Sequence, residues 1–136
     1  MLTPAGLAVD TSALAAVVLG EDDAEAFSAV LLAAAGDVHL GAPTLFEAEL
    51  VLLARQGEAA LADLRLLVEL VGAQVLPFDG EQAALALAAW RRFGKGRHPA
   101  ALNYGDCMTY ACAKRLGLPL LFKGDDFRQT DIAGVL

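Results

Sequence analysis

Short apolar runs alternate along the chain with longer stretches of helical periodicity. Leu7-Ala8-Val9 is an apolar run ending in Asp10, and Thr11-Ser12 opens an apolar helical stretch to Leu19, so a strand followed by a helix is expected. A second helix is predicted over residues 21–35, acidic in its first turn and closed by Gly36. Val38-His39-Leu40 reads as a brief second strand. Gly41-Ala42-Pro43 turns into a helix over 44–55, which Gly57 stops. Residues 58–71 are again helical, with Leu61, Leu64, Val68 and Val71 on one face and Asp63 and Glu69 off it. Residues 74–77 give a third strand and 81–93 a helix. Residues 94–105, with three glycines and a proline, form a loop. A helix over 106–116 is capped by Gly117, 118–122 is a fourth strand, and the tail 131–136 is a candidate fifth.

This alternation predicts an α/β protein: a three-layer α/β/α sandwich around a central parallel sheet of four to five strands. With 136 residues, the chain is expected to form one domain spanning 1–136. Right-handed crossovers place the C-terminal ends of the strands along one edge, where open α/β sheets carry their sites.

Hydrophobic residues make up 57% and charged residues 20%, a balance that excludes disorder. No apolar run approaches the ~18 residues that span a bilayer, so no membrane association is expected. The first basic residue is Arg55, so the start of the chain lacks the basic region of a secretory signal, and a cytoplasmic location is expected. Cys107 and Cys112 lie about 140° apart on a helix, poorly placed to bridge, and are read as reduced and buried.

The net charge is −7, and it is unevenly distributed. Residues 1–54 carry eight acids and no Lys or Arg; all ten bases follow. Such a chain is no general nucleic-acid binder. Four bases nevertheless crowd into Arg91-Arg92-Phe93-Gly94-Lys95-Gly96-Arg97, followed by His98. They form either a local anion-binding strip or a helix C-terminus neutralising its own dipole.

Acids also gather at the strand edge: Asp10 after the first strand, Glu47 early in its helix, Asp106 at a helix start, and Asp125-Asp126 after the fourth strand. Each has an ordinary local use. Asp10 suits a helix N-cap, Thr44-x-x-Glu47 a capping box, Asp106 an N-cap, and Lys123-Gly124-Asp125-Asp126 a turn. Together they repel, by about 1 kcal/mol per pair at ~4 Å in water and more at lower dielectric. A divalent cation is the usual compensation, and hard oxygen ligands select Mg²⁺ or Mn²⁺. Glu47 shares a helical face with Leu50, Val51 and Ala54, where a carboxylate needs a partner that no base in the first 54 residues supplies.

Three stretches carry a resemblance. Val9-Asp10-Thr11-Ser12-Ala13-Leu14, Leu45-Phe46-Glu47-Ala48-Glu49-Leu50-Val51, and above all residues 94–107 with Tyr110-Ala111, followed by Leu120-Leu121-Phe122-Lys123-Gly124-Asp125-Asp126-Phe127 and Thr130-Asp131-Ile132, resemble the PIN-domain ribonuclease toxins of the VapC type nearly end to end. The resemblance implies a Mg²⁺- or Mn²⁺-dependent endoribonuclease. Asp10, Glu47, Asp106 and Asp126 would hold the metal, with Asp126 preferred over its neighbour Asp125 as the fourth acid. It implies 5′-phosphate and 3′-hydroxyl products, with tRNA, rRNA or mRNA as substrate, and a VapB-type antitoxin and a second copy as partners. Ser12 is implied to sit against the site. Asn103 either braces the loop before Asp106 or contacts substrate. Lys95, Arg97, His98 and Lys123 would bind phosphates. Trp90, Phe93, Tyr104, Tyr110 and Phe127 are read as core or interface aromatics and His39 as structural. The apolar stretches 13–19 and 24–32 are expected to supply interface. Two rival classes are a different Mg²⁺-dependent phosphotransfer or phosphatase domain and a binding-only module. The first needs a second acid beside Asp10, which Thr11-Ser12 lacks; the second is disfavoured by the complete acid set.

Overall fold

The computed structural model describes residues 6–136. β1 (Leu7–Val9) leads into α1 (Thr11–Leu19) and α2 (Ala24–Ala33). β2 (Val38–Gly41) leads into a long α3 (Ala42–Leu70), β3 (Gln74–Leu76) into α4 (Gly80–Phe93), and α5 (Tyr104–Leu116) into β4 (Leu120–Leu121) and a 3₁₀ turn (Phe127–Gln129). All pairings are parallel, in the order β3-β2-β1-β4. Ala8 stands opposite His39 on one side and Leu120 on the other. The sheet therefore reverses its strand order at β1, and a crevice opens beyond the carboxyl end of that strand.

The two-residue period of the strands divides the core. Leu7, Val9, Val38, Leu40 and Leu121 pack with α1, α2 and α3. Ala8, Leu120 and Phe122 point the other way, into a second cluster with Ala89 and Phe93 of α4 and Cys107, Tyr110 and Ala113 of α5. This is the expected three-layer sandwich. Both cysteines are buried and unpaired.

Several boundaries differ from the sequence reading for identifiable reasons. α2 begins at Ala24, because Glu21 and Asp23 turn toward Lys123, 2.8 and 3.2 Å from its Nζ. Gly57 joins two helical rods directly at φ 78°, ψ −164°, a conformation open essentially only to glycine. α3 starts at Ala42 with Pro43 in its first turn and Gly41 as the cap, so Thr44 and Glu47 form no capping box. Asp106 is not the cap of α5 either. Asn103 is, and Asp106 completes a capping box as its third helical residue. The tail contributes a single parallel bridge, Gly134 to Leu120, as a rudimentary fifth strand.

The apolar surplus of residues 13–19 is consumed by the core: Ala13, Leu14, Ala15 and Ala16 are buried between α2 and α3. Exposed apolar side chains lie elsewhere. Phe46 and Leu50 on α3, Phe78 before α4 and Tyr104 on α5 border a cavity of about 770 Å³, which Pro77 and Met108 help line and which reaches Glu47 and Gly105. Tyr104, expected in the core or an interface, is 82% exposed, whereas Phe93, Tyr110 and Phe127 are buried. Among the described residues no helix is long and apolar enough to cross a membrane.

Candidate active site

Asp10 follows β1 directly, on extended backbone, and caps α1. Its Oδ2 accepts from the Ser12 amide at 3.1 Å and from Ser12 Oγ at 2.7 Å. Its Oδ1 accepts from Thr109 Oγ1 of α5 at 2.7 Å. Only 6% of Asp10 is exposed. Ser12 Oγ in turn accepts from the Lys123 amide at 3.0 Å, which ties the end of β4 to the end of β1.

Glu47 sits on the second turn of α3. The core stripe of that helix is Thr44, Ala48 and Leu52, so the face shared by Glu47 and Leu50 is not core as the spacing suggested; it edges the exposed cavity. The partner that Glu47 needs is Thr11, whose Oγ1 donates to Oε1 at 2.8 Å. α5 approaches at Gly105, where a Cβ would lie 2.6 Å from Glu47 Oε2.

Asp106 is the next residue, still in the first turn of α5. Its Oδ2 accepts from the Asn103 amide at 3.0 Å, while Asn103 Oδ1 accepts from the Asp106 amide at 2.8 Å. Burial lifts the Asp106 carboxyl from its ordinary 3.8 to about 6, helped by the charges of Asp10, Asp126 and Glu47 and opposed by the Asn103 amide. The charges of three carboxylates from three other segments thus bear on Asp106. None of the four has a Lys or Arg ion-pair partner among the described residues. Asp125 and Asp126 are both exposed, but it is Asp126 whose charge bears on Asp106, while Asp125 lies 3.9 Å from Arg128.

A family model for the PIN domain matches residues 7–133. The chain belongs to the PIN domain family. Relatives in it include Ribonuclease VapC30 of Mycobacterium tuberculosis, 45% identical over 130 residues that cover 95% of this chain and 98% of the relative. Ribonuclease VapC of Mycolicibacterium smegmatis is 43% identical over 131 residues, covering 95% and 99%. Among solved structures, the Sarcin-Ricin loop cleaving toxin VapC20 of M. tuberculosis superposes with a TM-score of 0.79 over 96% of this chain and 98% of that one; at 17% identity it shows the PIN fold alone.

The donor set of this PIN domain suits a hard divalent cation: carboxylate oxygens, two of them held by neutral hydroxyls and one lifted in pKa among like charges. Among the described residues no three His, Cys, Asp or Glu side chains close around one point. That openness is compatible with Mg²⁺, which keeps several waters and takes one or two carboxylates.

The expected phosphate ligands are dispersed. Lys95 and Arg97 are exposed in the loop before α5, whose neck is closed by Lys95 N–H to Leu102 O and Leu102 N–H to Phe93 O. His98 braces that loop: Nδ1 accepts from the Ala100 amide at 3.0 Å and the ring meets Phe93 edge-on at 5.1 Å, leaving Nε2–H as its free donor. Lys123 spends its ammonium on Glu21 and Asp23, whose hydrogen bonds hold its pKa above the ordinary lysine value. His39 is structural, 2.7 Å from Asp37. Sequence reasoning gave no site role to Thr11, Thr44 and Thr109, whose hydroxyls the structure places on or beside Glu47 and Asp10. Their only signal was position: Thr11 next to Asp10, Thr44 three residues before Glu47 and Thr109 three after Asp106.

Proposed function

We propose that this chain is the toxin of a VapC-type toxin–antitoxin pair, a single PIN domain over residues 1–136 that hydrolyses RNA phosphodiester bonds with Mg²⁺ or Mn²⁺. What supports the reading is that the charges of Asp10, Glu47 and Asp126, carried on three other segments, all bear on Asp106, and that none of the four has a Lys or Arg ion-pair partner among the described residues. These four would hold the cation, with Asp125 as an outer neighbour. When bound, a divalent ion neutralises charge on the scissile phosphate and acidifies water for in-line attack.

The protein's own part is orientation. Thr11 fixes Glu47, and Ser12 with Thr109 fixes Asp10. The Asn103 cap holds Asp106 at the start of α5. Lys95, Arg97 and His98 are placed to meet phosphates from the loop, and Asn103 and Ser12 to contact substrate nearby. Lys123 is the weakest of the assigned phosphate ligands, its charge being shared with Glu21 and Asp23.

The names of the relatives, ribonucleases of the VapC type, support RNA as substrate and, for a toxin of that type, a VapB-type antitoxin as partner; a second copy is our own assignment. We assign the second copy to the exposed apolar face of Phe46, Leu50, Phe78 and Tyr104, which is larger than scattered surface hydrophobics require. A cytoplasmic site of action follows from an RNA target.

Antitoxin-free protein incubated with total RNA should cut it with Mg²⁺ or Mn²⁺ and not with EDTA. Asp10→Asn and Asp106→Asn should each lose at least the ~100-fold that even outer partners of a metal site can cost. Equal cleavage by wild type and both variants would trace the activity to a contaminant and remove this reading.

A further inference from the structure

Three threonine hydroxyls run between the elements that carry the acids. Thr109 Oγ1 lies 2.7 Å from Asp10 Oδ1 and 3.0 Å from Thr44 Oγ1. Thr11 Oγ1 reaches Glu47 Oε1 at 2.8 Å and the Thr44 carbonyl at 3.2 Å. Thr44 and Thr109 are 2% and 1% exposed, out of reach of any substrate.

Each hydroxyl has one proton and two lone pairs. An ionised Asp10 carboxylate only accepts, so it takes the proton of Thr109. Thr44 must then be the donor in the Thr44–Thr109 pair, and the chain runs one way: Thr44 to Thr109 to Asp10. Together with the two bonds from Ser12, three hydrogen bonds converge on Asp10. About one of its roughly four lone-pair sites remains uncommitted.

We propose that Thr109, oriented by Thr44, is a positioning residue for the cation site: it holds the Asp10 carboxylate in the one rotation that leaves the uncommitted lone pair for the divalent ion. The inference rests on the metal-dependent reading above. A hydroxyl suits the task because it orients a carboxylate without cancelling its charge, as a lysine or arginine there would. A threonine suits it better than a serine, because its branched Cβ restricts χ1. α5 thereby carries one acid of the site, Asp106, and on the same face the group that aims another acid 99 residues away.

A purely structural threonine would merely satisfy buried polar atoms, and the two roles separate experimentally. Mn²⁺ alone is the probe, titrated into metal-free full-length protein and followed by calorimetry, alongside melting temperature. Thr109→Val is expected to weaken Mn²⁺ binding about tenfold, the low end for an outer partner of a metal site. Thr109→Ser should stay within about threefold of wild type, since it keeps the donor and loses only the rotamer restriction. The Thr44→Val/Thr109→Val double variant should recover only part of the melting temperature, since Thr44 no longer leaves a hydroxyl without an acceptor while Asp10 Oδ1 still lacks its donor, and should not recover Mn²⁺ affinity. Should valine at 109 prevent folding, Thr44→Val alone reads the same effect: Thr109 keeps its proton but loses its orientation, and binding is expected to fall by about threefold.

Unchanged Mn²⁺ binding in Thr109→Val or, in its place, Thr44→Val, with only the melting temperature lowered, overturns the positioning role. Asp10→Asn separates the two levels of the argument. If it too binds Mn²⁺ like wild type, the metal site itself is misassigned; if it loses binding while the threonine variants do not, only the present inference fails.

Discussion

At the scale of single residues, Asp106 serves two demands at once. It accepts the Asn103 amide as part of a helix cap and stands among three other carboxylates, with its pKa lifted to about 6. A carboxyl that grips its proton more tightly in the folded than in the unfolded chain makes the native state bind more protons between the two pKa values. Stability therefore declines as pH rises from about 4 to about 6, and the cost stands in full above that. In metal-free protein, the melting temperature of Asp106→Asn should gain on wild type across this window, and saturating Mg²⁺ should narrow the gap. An offset equal at pH 4 and pH 7 would show an ordinary Asp106. The acids were legible in the sequence because like charges at one sheet edge have few explanations. The threonines were not, because a neutral hydroxyl announces nothing until its partner 65 or 99 residues away is known.

At the scale of elements, the site depends on how closely α5 can approach α3. Gly105 makes that approach possible, since a methyl group there would lie 2.6 Å from Glu47 Oε2. Gly105→Ala should therefore displace the Glu47 carboxylate. The displaced atoms end a flexible side chain, so the melting temperature should hardly move while RNA cleavage falls at least about tenfold, by analogy with other outer-sphere disturbances. Unchanged cleavage would mean that Glu47 is dispensable. Among the described residues periodicity anticipated each α-helix and β-strand but not the 3₁₀ turn at Phe127–Gln129, and it did not say which of two apolar stripes on one helix faces the core. On α3 the spacing placed Glu47 on one face with Leu50, Val51 and Ala54, while Thr44, Ala48 and Leu52 fill the core. Asp10 and Gly117 cap their helices as read, but the N-caps of α3 and α5 were misassigned, because Pro43 and Asn103 start those helices earlier than the nearest Thr and Asp suggest.

At the scale of the whole molecule, charge and apolar surface are both redistributed relative to the sequence picture. Of the bases clustered in the second half, Arg92 and Lys114 meet Asp131, Arg115 meets Glu81 and Lys123 meets Glu21. Arg91, Lys95 and Arg97 have no ion-pair partner among the described residues, and they are what is left of the anion-binding strip. The open apolar face of α3 and α5 gives a separate prediction. Wild type should sediment as a dimer and Leu50→Glu, at a half-exposed position, as a folded monomer. A wild-type monomer at tens of micromolar, the affinity range of weak association, would remove the assigned interface.

The order of the strands also governs when the molecule becomes dangerous. β1 lies between β2, made soon after it, and β4, made near the end, and Asp10 is braced by a residue 99 positions downstream. A polypeptide still emerging from the ribosome owns Asp10 and Glu47 early but lacks Asp106, Thr109 and Asp126 until most of it has been translated. On the proposed four-acid site, a half-made copy is expected to be inert, and the hazard to the cell to begin only when synthesis is nearly complete.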